Sequence, residues 1–293
     1  MKRLILLMLL GAITFSCQKK ESSDEAATST SFENERNAFF SSLGAPAEVA
    51  AQLQATAADF NAGLLNNAQT YASYTTNEVK AAANLGIYLA DLNYSIAFTQ
   101  SAYVNDLFTA SHQLSQTIGI EQSVLDFLMK RYTDNINQND SVKAVIEDLF
   151  ASSTADLKGT ERETLVGIAM SAYQIENLHL ALGTIEAFPK DMLPDDARIQ
   201  ILMPLFRVVL AQRQNIEIIY GFLKSISDPN NPNKNPNYPY YANAFEELIG
   251  VYKNLNVEEK IANNQGMELM SDEVVKQLNS KVDAIRAKII SAE

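Results

Sequence analysis

From Phe32 onward, apolar side chains recur at steps of three and four, and that spacing confines the chain to helices. Leu165, Ile168, Ala172, Ile175, Leu182 and Ile185 trace one such stripe, with His179 lying on it. Leu205, Val209, Ile216, Ile219 and Leu223 trace a second, and Val275, Leu278, Val282, Ile285 and Ile289 a third. No run of Val, Ile and Thr alternates with period two, as a half-buried strand would. Glycine is scarce, 11 in 293 residues, while Ala, Leu, Glu, Gln, Asn and Lys are plentiful, which favours helix over sheet. The expectation is an all-α protein: one multi-helix, bundle-like domain over residues 32–293, with about nine or ten helices and no sheet. No repeat at the period of about 34 residues that marks helical solenoids is visible.

Local signals place the elements. Pro46 opens an Ala-rich helix over 47–66, since proline is tolerated where no helical N–H is needed. Helices over 77–100, 103–118 and 121–135 follow, with Gly119 a left-handed cap and Ile120 its apolar partner. Asp140 or Ser141 caps a helix ending at Phe150. The spacing Thr160-Glu161-Arg162-Glu163 is a capping box opening a helix through Phe188. Pro204 predicts a kink or break near Met203 in the helical segment 195–226. Ser271, Asp272 and Glu273 begin the last helix and Arg286 and Lys288 lie near its end, both favourable to the helix dipole.

The first residues have a different character. Lys2 and Arg3 precede the apolar run Leu4 to Phe15, which is shorter than the roughly 20 residues a bilayer span needs and has the length of a signal-peptide core. Thr14-Phe15-Ser16-Cys17 follows, and Cys17 is the only cysteine. This arrangement resembles the lipobox of bacterial lipoproteins, in the relaxed form of Bacteroidota. The resemblance implies removal of residues 1–16, diacylglycerol on the Cys17 sulfur, N-acylation, and a mature protein anchored to the outer membrane on its periplasmic or surface face. The other reading is an ordinary signal peptide with an incidental cysteine. Residues 17–31 are polar and read as a tether with a reach of about 20 Å. Net charge is −12, and −14 without Lys2 and Arg3, which speaks against nucleic acid as a partner.

Candidates for chemistry are few. The phrase LGIYLADLNY, residues 85–94, sets Ala83, Gly86, Ala90 and Ala97 on one side as a small-residue ridge, the mark of a central helix. It is similar to a phrase in uncharacterised Bacteroidota lipoproteins. Asp91 between Tyr88 and Tyr94 is a candidate ligand site, or else a carboxylate bonded within the core. Glu176 and His179 have the Glu-x-x-His spacing of di-iron bundles, but the only other histidine is His112 and position 109 is threonine, so no metal or other cofactor is expected. Residues 227–241, with Pro229, Pro232, Pro236 and Pro239, read as a long irregular segment. Its Tyr238, Tyr240 and Tyr241 form either a recognition surface or pins to the domain. Asp140-Ser141-Val142 resembles a Bacteroidota O-glycosylation acceptor at Ser141.

No nucleophile setting or glycine-rich phosphate loop stands out. These readings favour a non-catalytic interaction or scaffold subunit with a protein partner in the envelope. A small-molecule binder with a pocket near Tyr88, Asp91 and Tyr94 is the alternative. A carboxylate-based hydrolase, which would need two acids about 5–10 Å apart in an open cleft, is a third.

Overall fold

The structure, a computed structural model, describes residues 58–120, 162–191, 193–228 and 237–291, together with Val49, Gln52, Leu53, Ala55 and Lys130. Among the described residues it is all-helical, without a strand; seven helices have 15 residues or more and one has six. Cys17, the tether, Ser141, the helix expected before Phe150 and, apart from the helical Lys130, the helix expected at 121–135 lie outside the described residues, as does the first half of the capping box at Thr160.

Helix α1 (Glu78–Ala97) begins at Asn77, whose side chain accepts the N–H groups of Val79 and Lys80. It is buried almost all round, from Val79 through Ile96. Its neighbour α2 (Ser101–Thr117) ends as the sequence predicts. Gly119 takes φ +82°, its N–H reaches the Gln116 carbonyl, and the Ile120 N–H reaches Ser115. Helix α1 ends in the same motif, with Thr99 at φ 58° in the place a glycine would fill.

Helix α3 (Glu163–Ala187) lies against α1, and the small-residue ridge is where they meet. A β-carbon on Gly86 would stand 1.9 Å from the Ala169 carbonyl oxygen, so only glycine lets the two backbones approach this closely. Helices α4 (Asp195–Ala211), α5 (Arg213–Ser227) and α6 (Tyr238–Asn254) pack beside this pair. The six-residue α7 (Val257–Ala262) and a 3₁₀ turn, Gly266–Met270, lead to α8 (Asp272–Ile290), which returns to α3 and α1. Ser271 caps α8, its side chain facing the Val274 N–H at 3.4 Å.

Three expectations are corrected. The helix does not break at Pro204: α4 runs through it, and the interruption comes at Gln212. Pro204 and Gln200 are both exposed, so water is available to the carbonyl that the missing N–H leaves unbonded. At Gln212, by contrast, the side chain accepts from Gln174 and Asn215, and the Tyr252 hydroxyl donates to the Val209 carbonyl. These bonds sustain a junction between helices inside the core.

The second correction concerns 47–66. Val49, Gln52, Leu53 and Ala55 are helical as expected, but residues Ala58 to Asn61 are not, and two 3₁₀ turns follow, Ala62–Leu64 and Ala68–Tyr74. Asn61 and Asn67 start these turns by accepting the N–H groups of Gly63 and Gln69, a local bond that competes with helix. The third concerns 227–241: its last residues are the first turn of α6, with Pro239 at a position where the missing donor costs nothing.

Candidate functional site

Tyr88, Asp91 and Tyr94, spaced by three on α1, point at one target: the irregular strap of residues 58–74 that crosses the helix. The Asn61 N–H donates to the Tyr94 hydroxyl at 3.1 Å, and the Asn66 N–H donates to Asp91 Oδ2 at 2.9 Å. The Tyr88 hydroxyl donates to the Asn67 carbonyl at 2.9 Å and lies 3.1 Å from Thr70 Oγ1. A non-helical segment leaves backbone groups without partners, and buried groups must find them elsewhere. Here side chains of the core supply them.

Two more helices contribute. Glu176 of α3, 0% exposed, accepts a bidentate pair from Arg286 of α8, with Nε to Oε2 at 2.6 Å and Nη2 to Oε1 at 2.8 Å. The same Nη2 donates to the Leu64 carbonyl at 3.1 Å. His179 Nε2 meets that carbonyl from the other side at 3.1 Å, and its Nδ1 lies 2.6 Å from Asp283 Oδ1. Leu64 is therefore held by residues more than a hundred positions along the chain.

Asp91 is also 0% exposed, and no donor faces its Oδ1. Its carboxyl abuts Glu176. Burial first, and the negative charge of Glu176 second, hold Asp91 well above the usual carboxylate range, with Arg286 and the Asn66 N–H pulling the other way. Burial tends to lower the Arg286 pKa, but pairing with Glu176 more than reverses this and keeps the guanidinium charged. The cluster sets Asp91, whose acid form burial favours, beside the bidentate Glu176–Arg286 pair.

Asp91 is fully buried and bonded to the strap through the Asn66 N–H. His179 is bonded at both ring nitrogens, and among the described residues no group of three or more His, Cys, Asp or Glu side chains could hold a metal ion. Tyr238 and Tyr241 are buried, 3% and 6% exposed; the Tyr238 hydroxyl lies 2.6 Å from Thr164 Oγ1, and Tyr240 is edge-on to Tyr241. Tyr238 and Tyr241 pin α6 to the domain, and Tyr240 beside them is half-buried.

Sequence reasoning assigned Arg286 to the helix dipole and missed its bond to Glu176. The available signal was its position one step from Ile285 and three from Ile289, beside the buried stripe. Also unanticipated is a cleft of about 470 Å³ beside Tyr94, bordered by Phe60, Asn61, Thr184, Phe188, Leu193 and Ile201. Comparison with protein-family models, curated proteins and solved structures finds no match to this chain.

Proposed function

We propose that the protein is a lipoprotein held at the outer membrane through Cys17, whose helical body works without catalysis as an interaction subunit of an envelope assembly. The observation that carries the non-catalytic part is the state of Asp91 and Glu176. These acids converge, as a hydrolase would require, yet both are 0% exposed and bonded to the strap and to Arg286. A carboxylate pair without access to water or substrate neither protonates a leaving group nor activates a nucleophile. The anchor rests on the lipobox-like Thr14-Phe15-Ser16-Cys17, and no helix among the described residues is long and apolar enough to cross a membrane.

Acyl chains contribute about 0.8 kcal/mol per buried methylene, so two or more hold a protein firmly. Cys17→Ala is expected to move the protein from the membrane fraction to the soluble one. Equal retention after a carbonate wash would refute the anchor. For the assembly, native mass spectrometry of the lipidated protein in mild detergent is expected to show a stoichiometric protein partner.

A further inference from the structure

The cleft beside Tyr94 has features that the polar cluster lacks: room, an apolar wall and an opening. Its volume of about 470 Å³ lies within the range of small-molecule sites, roughly 300–1,000 Å³. Phe60, Phe188, Leu193 and Ile201 give it apolar walls. Phe60 is fixed in place, stacked on Tyr94 at 5.2 Å with 26° between the rings, and in contact with Phe98 and Tyr103. Two polar side chains that line it already have bonds: Asn61 Oδ1 accepts the Gly63 N–H at 3.0 Å, and Thr184 Oγ1 donates to the Leu180 carbonyl at 2.7 Å.

Among the described residues that border the cleft one is charged, Asp59, and it is exposed. The chain as a whole carries −12, so the surrounding field also favours a cation. We propose that this cleft binds an apolar cation: a hydrophobic ring or short chain that fills the slot, with an amine held at the mouth by Asp59. The site is independent of the anchor and would serve the protein whether or not Cys17 is acylated. It moves small-molecule binding from Asp91 to the space on the far side of Tyr94.

The test uses two fluorescent probes with the same ring and opposite charge, 1-naphthylmethylamine and 1-naphthylacetate, titrated with the full chain and followed by anisotropy. The amine is expected to bind saturably, and the acetate about tenfold more weakly, the effect of exchanging an attraction for a repulsion at an exposed carboxylate. Asp59→Asn is expected to abolish the difference between them. Ala187→Phe, which fills the cleft from the exposed end of α3, is expected to abolish amine binding without changing the melting temperature. Leu193→Trp is a second blocking variant, at a position 36% exposed. No saturable binding of the amine, equal binding of the acetate, or full binding by both blocked variants would each overturn the proposal.

Discussion

At the scale of single residues, Asp91 makes the sharpest statement. Its folded-state pKa lies well above the ordinary value of 3.8. At lower pH both states hold the proton and its contribution to stability is fully present. As pH rises from about 4 through the folded-state pKa, the unfolded chain gives up the proton first and stability falls. Asn at this position does not titrate, accepts the Asn66 N–H, and offers an N–H to Glu176. Asp91→Asn is therefore expected to fold, to lose this decline, and to exceed the wild type in stability at about pH 8 but not at about pH 4, read by urea unfolding at both. Asp91→Leu removes the acceptor of a buried N–H and is expected to cost about 1–3 kcal/mol. Thr99 offers the opposite case. A β-branched residue at φ 58° is strained, and Thr99→Gly is expected to stabilise by about 1 kcal/mol in the same measurement.

At the scale of elements, the α1–α3 pair and the strap are held by different physics. The helix pair meets through Gly86, and a methyl group there would have to displace the backbone at Ala169. Gly86→Ala gains about 1 kcal/mol in helix propensity but overpacks the contact, and a net loss of about 1–3 kcal/mol is expected on thermal melting. The strap has no α-helix, only two 3₁₀ turns, and depends on side-chain anchors. Amide hydrogen exchange is the measurement suited to it. The Asn66 N–H is expected to be protected like a core-helix amide in the wild type and to exchange faster in Asp91→Leu, while the middle of α1 changes less. Equal acceleration across α1 and the strap would mean that the strap has no stability of its own to lose.

At the scale of the whole molecule, Arg286 joins the last helix to the strap: it links α8, Glu176 of α3 and the carbonyl of Leu64. Arg286→Leu leaves Glu176 as a buried charge without its partner, and a loss of about 3–5 kcal/mol in a single cooperative unfolding transition is expected. The sequence by itself determined the helical class, because period-3.6 burial and sparse glycine are local properties that any amphipathic helix must show. It also determined the Gly119 cap, the start of α8 at Ser271, and α1 as the buried centre, each visible in a few adjacent residues. The break at Gln212, the strap over 58–74 and the burial of Tyr238 and Tyr241 were decided by tertiary contacts. The partners of Asp91, Glu176 and Arg286 come from separate helices and a distant backbone, and helical stripes do not specify which helices touch. The cleft by Phe60 likewise exists only where the strap meets the end of α3, since an enclosed volume belongs to no single segment.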